Sequence, residues 1–424
     1  MKKFNCLLLC SLITFIVVAS TNISYSYASD SLKIHYIDVG SADSIYIECG
    51  GQSMLIDGGY LTQYDRSGET DDAIKSPLDR YMHDGDDTVL DSSAGQYMDQ
   101  YKKLLRENDN SDVTKYLDSL GVKEIDYVVS THPHYDHIGG LIQVLNKYNY
   151  KHLLYNGREY NAYLPTFKKM AEYNKSKNGV ELTVANQGQV IELGAGSMKA
   201  RITVLTNQAT DYSTISGRNE LNTISNNGSL VLKLEYGKRS FLFTGDAQVA
   251  AQRELIKNKI TDITNIDVLK VPHHGYNNND FNSPDKSGNY EFFQNVNPVV
   301  SVVSCDIGNN NSPLPANRVI KDLAMSDIYT TKDLGNIVLT CNGKSVIVKT
   351  NSKTIYALNP GDLNKDGKIT ASDLLKMEKY VVNPNDNQLR NTELRIGDTN
   401  DDGKVNSRDM LAVEKNIVFN TPID

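Results

Sequence analysis

Thr131-His132-Pro133-His134-Tyr135-Asp136-His137-Ile138-Gly139-Gly140 puts three imidazoles and one carboxylate within six residues of a 424-residue chain that has only 8 histidines. The run follows directly on the β-branched, apolar stretch 125–130, whose pattern predicts a buried strand. A strand end is rigid backbone, so side chains leaving it can be aimed at one point in a cleft. Imidazole and carboxylate are the donors that a borderline-soft ion such as Zn²⁺ prefers. The Gly139-Gly140 pair fits a tight exit into a helix. The fold is thereby constrained to one in which strand ends converge on a metal-binding cleft, and further ligands should lie at the ends of other strands.

Three later or earlier strand ends supply candidates. Asp57, in Leu55-Ile56-Asp57-Gly58-Gly59, ends the third of three short apolar runs; alone, an Asp-Gly-Gly is only a turn. Asp246 ends the apolar run before Gly245-Asp246-Ala247, where a buried carboxylate has little structural reason to stand. His273 and His274 follow the buried run in Leu269-Lys270-Val271-Pro272-His273-His274-Gly275, and one of the two should be a ligand, His273 by preference.

The His-x-His-x-Asp-His run with these stations resembles the signature of the metallo-β-lactamase superfamily. The resemblance implies an α/β fold, a four-layer αββα sandwich, and two metal ions, zinc with iron or manganese as substitutes. It assigns Asp246 as the carboxylate bridging both ions, His132 and His134 to the first ion, and Asp136, His137 and His273 to the second. Asp57 would orient the ligand loop, and Asp136 or His274 would relay protons. The middle station, where many members place a histidine, has no counterpart: His152 is the only histidine between His137 and Asp246, and it opens the short run 153–155 like an ordinary structural residue.

Within the superfamily the pattern is most similar to the extracellular domain of bacterial DNA-uptake competence proteins, carried by Ile37-Asp-Val-Gly40, Asn227-Gly-Ser229, Thr244-Gly-Asp246 and Pro272-His-His-Gly275, from about residue 32 to 350. Secreted phosphorylcholine esterases show a related pattern. Both relatives imply phosphoester cleavage by a hydroxide made available when coordination lowers the pKa of water towards about 7. Leu314-Pro315 stands where competence domains often carry His-Pro, which departs from a nuclease in particular. Tyr36, Asp43, Ser44 and Asn227 would contact phosphate or buttress ligands by the same resemblance.

The rest of the chain fits an exported, multi-part protein. Met1-Lys2-Lys3, the apolar stretch 7–19 and Ser26-Tyr27-Ala28 read as a secretory signal over 1–28, too short to span a membrane. Its removal takes away Lys2 and Lys3, moving the formal charge from −8 to −10, against a broadly basic nucleic-acid surface. Of 5 cysteines, Cys49, Cys305 and Cys341 would remain, too few and too scattered for a disulfide framework. A catalytic domain over 29–350 starts with a β-meander, has hairpins across Gly237-Lys238 and Asn342-Gly343, and includes an Asp/Ser/Gly-rich stretch, 60–95, read as an active-site border.

A linker is expected over 351–358, and an internal repeat follows within 359–424. Gly361–Asp373 aligns with Gly397–Asp409 at seven of thirteen positions. Asp362, Asn364, Asp366, the Lys368 carbonyl, Thr370 and Asp373 occupy the positions of an EF-hand-like loop, with Gly367 at its sharp turn. Asp398, Asn400, Asp402, the Lys404 carbonyl, Asn406 and Asp409 repeat them around Gly403. Oxygen donors at alternate positions suit Ca²⁺, one ion per loop. Loops ending in Asp, with Asn359-Pro360 blocking a helix before the first, resemble a type I dockerin, a small all-α module. That resemblance implies a cohesin partner on a scaffold or partner enzyme and reading of that partner by Ala371-Ser372 and Ser407-Arg408. The whole reads as a secreted metallohydrolase of phosphoesters, held extracellularly by its dockerin, or else, given the missing histidine, as a non-catalytic assembly protein with a degenerate site.

Overall fold

A computed structural model describes residues 31–60, 111–158, 164–206, 220–257, 261–277, 289–308 and 312–423. The expected signal, 1–28, and the stretch 61–95 lie outside the described residues. In chain order the strands are β1 (Leu32–Tyr36), β2 (Ile45–Cys49), β3 (Gln52–Ile56), β4 (Glu124–Ser130), β5 (Asn149–Tyr155), β6 (Leu182–Val184), β7 (Val190–Leu193), β8 (Ala200–Val204) and β9 (Leu232–Tyr236). They continue with β10 (Arg239–Phe243), β11 (Val268–Lys270), β12 (Val300–Val303), β13 (Ile307–Gly308), β14 (Ser312–Pro313), β15 (Asp327–Thr330), β16 (Ile337–Cys341), β17 (Val346–Lys349) and β18 (Thr354–Leu358).

Two sheets result, ordered β18-β17-β16-β1-β2-β3-β4-β5-β6 and β15-β12-β11-β10-β9-β8-β7. In each, antiparallel meanders give way to parallel pairing, β3 to β6 in the first and β10, β11, β12 and β15 in the second. Side chains alternate in direction along a strand, so each sheet has an inner and an outer face. Phe241 and Phe243 join the core between the sheets while Leu242 packs outward; Met54 and Ile56 point in while Leu55 points out. Helices Asp112–Ser119, Tyr135–Lys147 and Leu164–Asn178 cover the first sheet's outer face with Val113, Leu117, Leu141 and Phe167. Helices Val249–Lys257, Tyr290–Val296 and Asn317–Asp322 cover the second with Leu255, Phe292, Phe293 and Val319. Helix, sheet, sheet, helix is the expected αββα order.

Most of the segment expected as a linker, 351–358, is a strand instead, β18 taking up Thr354–Leu358. The chain turns at Thr350, whose N–H donates to the Lys353 carbonyl, and β18 pairs antiparallel with β17 at the sheet edge. Ala357 and Leu358 are buried in the core between the sheets, which offsets the ordering of a short segment. Helices Ala371–Val382, Asn391–Gly397 and Ser407–Phe419 follow, the first and third each opened by a capping box from Thr370 with Asp373 and from Asn406 with Asp409. No helix among the described residues is long and apolar enough to cross a membrane.

Candidate metal centre

The centre forms where β3, β4, β10 and β11 end. Asp57 follows β3 with a left-handed backbone (φ 58°) and is fully buried. Its Oδ1 accepts from the Thr131 N–H at 2.8 Å, and its Oδ2 from the Thr131 hydroxyl at 2.6 Å. His137 Nδ1 lies 2.8 Å from the same Oδ2 and donates to it, which turns the bare Nε2 toward the cleft. Burial pushes the Asp57 carboxyl up, against the pull of His137 and Thr131. Two glycines make this corner possible. The Gly58 N–H donates to the His137 carbonyl at 2.8 Å, and a Cβ on Gly140 would stand 2.1 Å from the Gly58 oxygen.

His132 leaves β4 with its Nδ1 beside the Thr131 and Ser229 hydroxyls, at 3.1 and 3.3 Å. Its Nε2 faces His134 Nδ1 at 2.9 Å and Asp246 Oδ2 at 3.8 Å. Helix Tyr135–Lys147 starts at His134, so Asp136 and His137 occupy its first turn. Asp246 follows β10, its N–H donating to Ser229 Oγ at 3.1 Å. His274 Nδ1 lies 3.0 Å from the Ser304 carbonyl, and 3.5 Å from Asp43, whose other oxygen is 2.8 Å from the buried Lys270 ammonium. His274 Nε2 therefore faces inward, 3.3 Å from Asp136 Oδ2 and 3.5 Å from Asp246 Oδ1.

Besides a gathering of Asp43, Asp57 and His137, two donor groups among the described residues share Asp246, with Asp136, His137 and His274 in one and His132 and His134 in the other. Their donor separations of 3.3 to 3.8 Å match the edges of a tetrahedron with bonds of about 2.0–2.2 Å. His137 Nε2, His274 Nε2 and Asp246 Oδ1 are buried with no hydrogen-bond partner, a costly arrangement that a cation among them relieves. The electrostatics agree. Burial works against charge on Asp246, yet His137, His274 and His273 hold its carboxyl well below the usual range. Burial, with His137 and His134 adding to it, keeps His132 well below its ordinary value and so neutral, with a lone pair to give. His137 is raised well above its ordinary value: burial opposes this, but Asp246, Asp136 and Asp57 outweigh it. The residues fit a divalent metal.

The sequence preference for His273 in the second group is corrected. His274 closes that group and is buried, whereas His273, 22% exposed, stands across Asp246, its Nε2 3.8 Å from Oδ2. The cause is local: both residues adopt left-handed backbone, at φ 51° and ψ 49° and at φ 51° and ψ 19°, which sends their rings to different sides of one carboxylate. Asp57, expected among the catalytic groups, is fully buried beneath the candidate donors, and its carboxylate bonds to Thr131 and His137. His152 stacks on Tyr127 at 4.5 Å, away from the centre. Of the remaining candidates, Ser44 Oγ donates to the Asp57 carbonyl and Tyr36 is wholly buried. Asn227 accepts from the Ala251 N–H and donates to the Thr223 carbonyl, a structural role. Asp43, named above among possible buttresses, stands beside His274; its partner Lys270 and the Ser304 carbonyl were not anticipated, and a lysine inside the apolar run before His273 was the available signal.

The model of the metallo-beta-lactamase superfamily matches residues 37–286. The chain belongs to that superfamily. A second family, the type I dockerin domain, matches residues 360–418. ComE operon protein 3 of Bacillus subtilis (strain 168) is 29% identical over 196 residues, 46% of this chain and 22% of that protein, so the chain spans less than a quarter of the relative's length. That likeness supports the competence-like branch. Among solved structures, unliganded yeast PDE1 is 12% identical with a TM-score of 0.38, over 73% of this chain and 99% of that one. The metallo-beta-lactamase fold protein YhfI from Bacillus subtilis is 12% identical with a TM-score of 0.35, over 74% and 100%.

The superfamily fold implies divalent metal, and the dockerin implies calcium and a cohesin partner. The two dockerin loops are built alike. Asp362 Oδ2 accepts from the Gly367 N–H at 2.8 Å and Asp398 Oδ2 from the Gly403 N–H at 2.7 Å. Asp373 accepts from Asn364 and Thr370 N–H groups, and Asp409 from those of Thr399 and Asn406. Burial pushes the Asp362 and Asp398 carboxyls up.

Proposed function

We propose that this chain is an exported dinuclear metallohydrolase of phosphodiester or phosphoester bonds, attached by its dockerin to a cohesin-bearing extracellular assembly. The observation that carries the reading is Asp246, whose two oxygens each face their own set of imidazoles within one buried pocket. His132, His134 and Asp246 would hold one ion, and Asp136, His137, His274 and Asp246 the other, zinc being the best match to these donors. Bound there, two divalent ions supply an acidified water and a Lewis acid for a phosphoryl oxygen.

The chain's own groups do the rest. Asp57, Ser304 and Asp43 fix the tautomers of His137 and His274. Asp136, with 24% of its side chain exposed, is the ligand that reaches solvent and is placed to take up and return a proton. The likeness to the competence-like branch supports a phosphoester as substrate. One calcium in each dockerin loop would order the helices that meet cohesin.

The test is hydrolysis by metal-loaded full-length protein of bis(p-nitrophenyl) phosphate, single-stranded DNA, RNA and phosphorylcholine esters, beside an Asp246→Asn variant. Turnover of at least one substrate that falls by about 10²-fold or more in the variant supports the reading. An empty centre with no hydrolysis of any of them would leave a non-catalytic assembly protein with a degenerate site.

A further inference from the structure

We infer that His273 is the fourth protein ligand of the ion held by His132 and His134, taking the place of the histidine missing between His137 and Asp246. The inference rests on the dinuclear reading above. Asp246 is shared symmetrically: its Oδ1 lies 3.3 Å from His137 Nε2 and 3.5 Å from His274 Nε2, while its Oδ2 lies 3.8 Å from both His132 Nε2 and His273 Nε2. Each oxygen thus has two imidazole nitrogens at ligand-to-ligand distance. His132, His134 and Asp246 already stand within donor reach of one another, with His134 Nδ1 2.9 Å from His132 Nε2; His273, 3.8 Å from Oδ2 on its other side, is the nearest further imidazole that an ion there would draw in to reach the three nitrogens and one oxygen of a tetrahedral site.

The backbone is shaped for this division. Two consecutive non-glycine residues in left-handed conformation are rare and persist where surrounding structure enforces them, typically at functional sites. Here the pair lets neighbouring residues serve opposite oxygens of one carboxylate. The His273 ring is held besides by Tyr276, with centroids 4.8 Å apart, and by two amides, Gln248 at 3.3 Å from Nδ1 and Asn226 at 3.4 Å from Nε2. A Gln248 amide turned to accept from Nδ1–H, which its near-symmetric ends allow, fixes the tautomer whose lone pair is on Nε2, where the Asn226 amide now faces it and an ion would take its place. Among the described residues no other imidazole competes: His35 is bound to Glu48 and Tyr116, and His152 stacks on Tyr127. His134 and His273 are both partly exposed in this set, whereas in the other only Asp136 is, so the ion held through His273 is expected to exchange faster than its neighbour.

Metal content and affinity test this without reference to turnover. Full-length protein is titrated with Zn²⁺ and with Co²⁺, whose visible absorption reports tetrahedral sites, and retained metal is counted by mass spectrometry. Wild type should hold two transition-metal equivalents with distinct affinities. His273→Ala should weaken the weaker site by about 10²-fold or more, keep the tighter one, and lose about half of the cobalt absorption; His274→Ala should strike the tighter one. His273→Gln, with a near-wild-type unfolding curve, guards against misfolding as the cause. A wild type with two ions and a His273→Ala variant that keeps both at unchanged affinity overturns the inference alone. So does loss of the weaker site on replacing His83, the one histidine outside the described residues, by Ala instead. A wild type that binds only one ion overturns the inference together with the dinuclear reading.

Discussion

Asp57 shows how much of the centre depends on a residue no substrate would touch. Its carboxylate accepts from the Thr131 N–H, from the Thr131 hydroxyl and from His137 Nδ1, all without water. Asp57→Asn keeps the shape but offers one acceptor oxygen, so either Thr131 or His137 loses its partner and His137 is free to bond through the wrong nitrogen. The expected result is a metal affinity lower by about 10–100-fold and a stability loss of about 1–3 kcal/mol for the orphaned buried group, checked by metal titration and by urea unfolding of the metal-loaded protein. At this scale the sequence was informative because ligand chemistry restricts residue type. His132, His134, Asp136, His137 and Asp246 could be picked out singly, and they do meet. Choosing between His273 and His274 needed their dihedral angles, which two adjacent identical residues cannot disclose.

At the scale of elements, alternation and turn chemistry located most strands: the meander of β1 to β3 and the hairpins at Gly237 and Gly343 are where the pattern placed them. β18 escaped because five residues at a sheet edge, three of them at least partly exposed, look like a spacer until their partner strand is known. The helix after β4 was announced by glycines, and their reason is contact. Gly140 lies against Gly58, and its N–H donates to the Gly59 carbonyl at 2.9 Å. Gly140→Ala forces a methyl into the Gly58 oxygen and must push the first turn of the helix, with Asp136 and His137, off the sheet. Overpacking of this kind costs about 1–3 kcal/mol, and the shift of both ligands should weaken metal binding as well. A thermal midpoint that falls while metal affinity stays unchanged would show that the helix start is not what sets the ligand geometry.

For the molecule as a whole, the dockerin and the metal centre lie at opposite ends of the same parallel strands. Lys365 pairs with Asp327 at the start of β15, Arg395 Nη2 lies 2.8 Å from Asp267 just before β11, and Lys238 pairs with Asp401 at 3.0 Å. His273 and His274 follow the other end of β11. Leu375, Val382, Leu411, Val418 and Phe419 on the first and third dockerin helices are exposed, and a cohesin is expected to cover them. A cohesin bound there would approach from the side away from the cleft, so the two functions should separate. Asp362→Asn with Asp398→Asn removes one carboxylate oxygen charge at the first position of each calcium loop while preserving shape. Calcium affinity and cohesin binding should fall by at least about 10-fold, since ligand charge sets loop affinity, whereas zinc content should equal that of wild type. Titration calorimetry with a type I cohesin and metal counting on the same preparation decide it. Zinc lost along with calcium would mean that the contacts through Lys365 and Arg395 carry the order of the dockerin loops into β11 and so to the histidines at its far end.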